Sequence, residues 1–278
     1  MAGWRTLGWV GSVVGCAGGA PAKDSASGGG AAEDTAPMGD DGAGDGRDGS
    51  GDGSGTGDGS GAGDGGDGGD GGDTGDPLPL PGVGALTGDC GVLSPAVLTG
   101  ADPAFYALSL AFDAPWSDAD LSAGGQEIRA DGNLGGSSID SEIFAHETLY
   151  RCEGAVLVAT EGEVAYADPG GKKTDLVVDI DGLRIGVSVT RAVGWPQDAP
   201  WERADAAALL EDKLADIPLS SANVTDPHTW EKQILAVVAY SPAHADALAE
   251  AWATLGADLR LDTVLWVVAT EGDDAFLY

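Results

Sequence analysis

The chain has 278 residues, and its 46 acidic side chains against 13 basic ones leave a net charge of −33. From Gly88 onward 32 acidic residues face 10 basic ones, a balance of −22, so the folded part is itself acidic. A surface of that sign repels polynucleotides at range, which disfavours nucleic acid as a partner. It suits solubility in a salty or crowded exterior.

The chain opens MAGWRTLGWVGSVVGC: one positive charge at Arg5, a short apolar stretch from Thr6 to Val14, then a small residue and a cysteine. This is the outline of a signal peptide. Val13-Val14-Gly15-Cys16 resembles the lipobox of bacterial lipoproteins, in which the cysteine is acylated and becomes the new N-terminus. The resemblance implies residues 1–16 as a lipoprotein signal and Cys16 as the lipidation site. It implies a cell-envelope location facing the periplasm or exterior, with the membrane engaged through the lipid. The apolar stretch is well short of the roughly 20 residues that cross a bilayer as a helix. Cys90 and Cys152 are then left over, and an exported protein with two such cysteines is expected to pair them; two buried thiols are the alternative.

Residues 17–87 read as a tether. From Gly28 to Asp76 almost every residue is Gly, Asp, Ser, Ala or Thr, with nothing large enough to build a core. An r.m.s. reach on the order of 40 Å follows for such a coil. The aspartate spacing lacks the Asp-x-Asp-x-Asp-Gly core of an EF-hand loop, so only weak counterion binding is expected. The segment Pro77–Gly82, PLPLPG, marks the tether's end.

Residues 88–278 read as one αβ domain. Phe105–Phe112 suits a strand, and Ser122–Gly136 reads as loop. Ser137-Ser138 can cap a helix over Ile139–Tyr150. Ala155–Thr160 and Glu163–Ala167 read as strand material, followed by Asp175–Ile180 and Leu183–Arg191, whose Asp181-Gly182 junction is a hairpin signal. A second helix is expected over Glu202–Ile217, ended by Pro218. Ile234–Tyr240 is a strand apolar throughout, as for one covered on both faces. Ser241-Pro242 opens a third helix that Gly256 closes, and Thr263–Ala269 is the last strand.

Helix, three strands built around a hairpin, helix, strand resembles the αβββαβ core of the restriction-endonuclease-like PD-(D/E)xK superfamily, here with an added C-terminal αβ unit. The likeness covers roughly residues 137–240 and is most specific in TDLVVDIDGLRIGVSVTRA, Thr174 to Ala192. It implies Asp175 as the metal-binding aspartate, preceded by Thr174 in place of proline. It places the acidic-x-lysine triplet on Ser188-Val189-Thr190, which has neither the acid nor the lysine. The first-helix acid would be Glu147, or secondarily Glu142; a migrated lysine would be Lys232 or Lys173, and Gln233 would take an auxiliary position. If the domain were active, Glu147 and Asp175 would hold Mg²⁺ to activate water and steady the phosphoryl transition state. No other cofactor is expected.

Against these roles stand plainer ones. Asp175 suits a turn, Glu147 can pair with Arg151 one helical turn on, and Ser188 and Thr190 are ordinary strand residues. His146, His228 and His244 lack zinc-ligand spacing, and neither a Gly-x-Ser-x-Gly elbow nor a phosphate loop occurs. Trp195 and Trp201, beside Pro196, either stack on a sugar or base or pack into the core. The sequence therefore points first to a non-catalytic nuclease-like domain for binding or envelope assembly. A divergent Mg²⁺-dependent nuclease and an unrelated structural αβ envelope domain are the alternatives.

Overall fold

The computed structural model describes residues 78–80, 84–113, 115–133, 139–197 and 199–278. Cys16, the signal segment, most of the tether and the Ser137-Ser138 cap lie outside the described residues. Eight strands form one mixed sheet: β1 (Leu78–Leu80), β2 (Gly84–Gly88), β3 (Ala104–Phe112), β4 (Val156–Thr160), β5 (Leu176–Ile180), β6 (Leu183–Ala192), β7 (Lys232–Ala239) and β8 (Val264–Gly272). Their spatial order is β1-β2-β3-β8-β7-β6-β5-β4. The central β3, β8, β7 and β6 are mutually parallel, and the flanking pairs are antiparallel.

The two-residue period of a strand divides the side chains of β7 between two layers. Ile234, Ala236 and Val238 pack beneath helix α3 (Ile139–Glu153), against Ile143, Phe144 and Leu149. Leu235, Val237 and Ala239 pack beneath α4 (Arg203–Asn223) and α5 (Pro242–Thr254), against Leu210, Leu214 and Leu248. Every residue of β7 is buried, and its apolar run Ile234–Ala239 is that of a strand covered on both faces. The hairpin between β5 and β6 turns at Asp181 (φ 53°) and Gly182 (φ 81°), the left-handed pair that a two-residue turn of matching twist demands.

Several expectations are corrected. The sheet begins at Leu78, inside the stretch read as tether, because β1 pairs with β2 and β2 with the second half of β3, Leu108–Phe112. Within Ser122–Gly136, read as loop, Ala123–Asp131 is a helix, α2. The hydroxyl of Ser122 accepts from the Gly125 amide at 3.1 Å, and Gly132 ends the helix at φ 68°. Its Gly124-Gly125 pair suggests a loop only because the packing partner is unseen in sequence. A Cβ at Gly124 would meet the His146 ring, and one at Gly125 the Glu147 carboxylate.

Pro218 does not end α4, which continues to Asn223. The turn beyond it is held from outside: Ser220 and Ser221 donate to Gln233 at 3.1 and 2.9 Å, and Asn223 donates to the carbonyls of Asp168 and Lys172 at 2.9 and 3.0 Å. Glu163–Ala167 contributes only an isolated bridge between Tyr166 and Val224. Short helices α1 (Pro95–Thr99) and α6 (Ala257–Arg260) have no counterpart in the sequence reading. No described helix is long and apolar enough to cross a membrane.

Cys90 and Cys152 form a disulfide. Beside it, Glu153 accepts from the amides of Gly91, Val92 and Leu93 at 2.9, 3.2 and 2.9 Å. The loop after β2 is thereby fastened to the end of α3 twice.

Candidate functional site

Asp175 stands immediately before β5, where its amide donates to the Val187 carbonyl at 3.1 Å and starts the ladder with β6. Its carboxylate accepts from the Val189 amide at 2.6 Å. Burial pushes the carboxyl up to about 7; the Val189 hydrogen bond opposes this, the nearby Glu142 and Glu161 carboxylates add to it, and Lys213 eases it. Asp175 therefore changes charge near neutrality and has acidic neighbours on separate elements.

The first-helix acid that acts on Asp175 is Glu142, not Glu147. Glu142 is 3% exposed, in the first turn of α3, and accepts from Asn133 at 3.3 Å. Glu147, five residues further along the helix, is used to build the fold. It accepts from the Ser122 amide at 2.7 Å, fixing the start of α2, and its second oxygen lies 3.6 Å from Arg151. The buried stretch Ser141–Leu149 covers every face of the helix, so burial alone does not say which neighbour each acid meets.

Ser188 sits on the α4 side of β6 in a closed amide and hydroxyl network. Gln233 donates to it at 2.8 Å and reaches the Thr174 hydroxyl at 3.3 Å, while the Ser188 and Thr174 hydroxyls are 3.3 Å apart. The carbonyl oxygen of Gln233 accepts from Ser220 and Ser221, and the Trp230 indole donates to Ser221 at 3.1 Å. Gln233 is thus brought to Ser188, in the company of Thr174. Thr190 stands one step along the same face, partly buried.

Neither candidate lysine reaches this network. Lys232 is 2% exposed, and its ammonium donates to the carbonyls of Val97, Gly100 and Asp102 at 2.7, 2.9 and 3.1 Å. It closes the C-terminal end of α1, where the unpaired carbonyls favour a cation. Burial lowers its pKa, partly countered by Asp262 and Asp102. Lys173 lies over the Tyr166 ring, 5.8 Å from its centroid.

The histidines do not converge. His146 is 1% exposed, neither ring nitrogen has a hydrogen-bond partner, and burial lowers its pKa to about 4. His228 accepts from the Ala165 amide at 3.1 Å, and His244 shares a 2.8 Å hydrogen bond with Ser241. Among the described residues the acidic group closest to a cation site is Glu127, Asp131 and Glu163, all exposed, with oxygens within 4.8 Å of one another. Asp131 and Glu163 both accept from the Thr160 hydroxyl, at 2.9 and 3.4 Å. The sequence reading missed this cluster, since its members come from α2 and from the turn after β4. The two tryptophans separate: Trp201 stacks on His244 at 4.9 Å and packs with the α4–α5 core, whereas Trp195 is 89% exposed.

No protein-family model matches the chain, and no solved structure matches it. The "AAC-rich mRNA clone AAC4 protein" of Dictyostelium discoideum is 40% identical over 153 residues, a match covering 53% of this chain. The chain spans 22% of that protein's length.

Proposed function

We propose that this is an exported, lipid-anchored protein whose Gly/Asp tether presents a restriction-endonuclease-like αβ domain for binding or envelope assembly, without nucleolytic activity. The order α3, β4, β5, β6, α4, β7 is the αβββαβ order of that superfamily, and β8 with α5 is the added unit. The disulfide is consistent with an oxidising compartment, and the lipobox-like Cys16 supplies the anchor.

One observation carries the non-catalytic reading: the Ser188 position is filled by a satisfied network to Thr174 and Gln233, while both spare lysines are engaged elsewhere. The donor set does not fit a nuclease magnesium. Among the described residues the carboxylates acting on Asp175 are Glu142 on α3 and Glu161 in the turn after β4, β6 offers a hydroxyl where the second carboxylate would belong, and Asp175 itself is protonated in part at neutral pH. Loss of a metal carboxylate together with the lysine costs orders of magnitude in rate.

The test is incubation of the purified protein with single- and double-stranded DNA and RNA in Mg²⁺ or Mn²⁺, beside Asp175→Ala. The expected result is no cleavage above background in either. Cleavage by the wild type that disappears in the variant would overturn the reading. For the anchor, labelled fatty acid should enter the wild type and not Cys16→Ala; an unlabelled wild type removes that part of the proposal.

A further inference from the structure

The carboxyl ends of the parallel strands hold a second candidate site, unconnected with Asp175. The chain leaves β7 toward α5 on one face of the sheet, and leaves β8 toward the final turn, whose Phe276 packs with Phe112 and Phe144 on the other face. Diverging exits of this kind open a crevice at the strand ends, the usual ligand position in open αβ sheets. Tyr278 stands there, its hydroxyl 2.7 Å from Thr270 of β8 and its ring edge-on to Tyr240 at 5.1 Å.

Beside Tyr278, at the end of β6, is a cleft of about 230 Å³ lined by Arg191, Val193, Gly194, Trp195, Gln197 and Tyr278. Two of its walls are fixed from behind: Tyr278 by Thr270, and Arg191 by its 2.7 Å hydrogen bond to the Leu277 carbonyl. Trp195 forms the outer wall and leaves 89% of its surface in water. A single exposed apolar residue is ordinary; an indole at the mouth of a preformed concavity with polar groups behind it is a stacking platform.

We propose that this cleft binds one ring of a neutral oligosaccharide, with Trp195 stacked on the sugar's C–H face. The lining offers groups that hydrogen-bond hydroxyls, the Gln197 amide and the Tyr278 phenol. Among the described residues the lining carries no acidic side chain. A polyanion would meet one arginine, already bonded to Leu277, on a domain of charge −22. The volume suits a single sugar ring and falls below the roughly 300 Å³ at which drug-sized pockets begin. This supplies a ligand class for the binding role proposed above. Nuclease activity would remove that role without altering a sugar titration, and a silent titration would remove the sugar without creating a nuclease.

The experiment titrates the full chain with chitohexaose, cellohexaose and maltohexaose by calorimetry, for wild type, Trp195→Ala and Trp195→Phe. Saturable binding of at least one is expected, weakened tenfold or more in the alanine variant and partly kept by phenylalanine. Affinity should be unchanged between low and high salt, since the ligand carries no charge. Trp195 is exposed, so the variants should keep the wild-type melting temperature. Absence of binding by all three sugars, binding untouched by Trp195→Ala, or heparin binding lost with Trp195 and abolished by salt would each overturn the proposal.

Discussion

Replacing Asp175 with asparagine removes a charge that the folded state holds at a cost. The carboxyl titrates near 3.8 in an ordinary setting and at about 7 in the fold, with burial as the main cause. Below pH 3.8 both folded and unfolded chains carry the proton, and the group contributes nothing to the pH dependence. As pH rises toward 7 the unfolded chain releases its proton first, so stability is lost through that window and the full cost stands above it. The difference corresponds to at most about 4 kcal/mol. Asp175 retains some exposure, which lets water carry part of the charge, so about 2 kcal/mol is expected. Asparagine is isosteric and keeps an acceptor for the Val189 amide, so Asp175→Asn should stabilise the protein by about 2 kcal/mol at pH 8 and be nearly neutral at pH 4. With a urea slope on the order of 2 kcal/mol/M, the denaturation midpoint should rise by about 1 M at pH 8. Equal effects at the two pH values, or destabilisation at pH 8, would refute the account of this carboxyl.

Three further outcomes are expected. His146 is held neutral with its pKa lowered from 6.5 to about 4 by burial, so the unfolded state takes the proton first as pH falls, and about 3 kcal/mol of stability should drain away between pH 6.5 and 4; His146→Leu should abolish that portion of the slope in pH-resolved melts, and an unchanged slope would show that another group is responsible. Lys232→Met should cost roughly 2 to 4 kcal/mol in urea unfolding by stranding the carbonyls of Val97, Gly100 and Asp102, whereas a loss below about 1 kcal/mol would mean that water replaces the ammonium. Opening the Cys90–Cys152 bridge, which spans 62 residues, should cost about 4 kcal/mol by loop-closure entropy; melts with and without reductant check it, and no shift would mean that the Glu153 contacts alone keep the loop closed.

The deeper elements were legible because each carries its own period or punctuation. The apolar runs within β7 and β8, the Asp181-Gly182 turn and the spaced leucines of α4 state their structures locally, whereas the Cys90–Cys152 pairing was one of two readings that the sequence left open. What failed locally was rescued by contact. Gly124 and Gly125 suggest loop until the His146 ring and Glu147 carboxylate are seen filling the space a side chain would need, and Pro218 suggests a helix end until Gln233 is seen holding the turn beyond it.

At the site the division is sharper. Sequence determined which residue types stand in the hairpin: an aspartate at 175 and hydroxyls at 188 and 190. It could not tell Glu142 from Glu147, because α3 is buried on every face from Ser141 to Leu149 and only the placement of its neighbours assigns one acid to Ser122 and leaves the other to act on Asp175. Nor could it say that Lys232 is spent on carbonyls some 130 residues earlier in the chain, or that Trp195 faces water while Trp201 stacks on His244. Side-chain chemistry is written along the chain, but convergence is a property of three-dimensional distance, which spacing along a polymer does not encode.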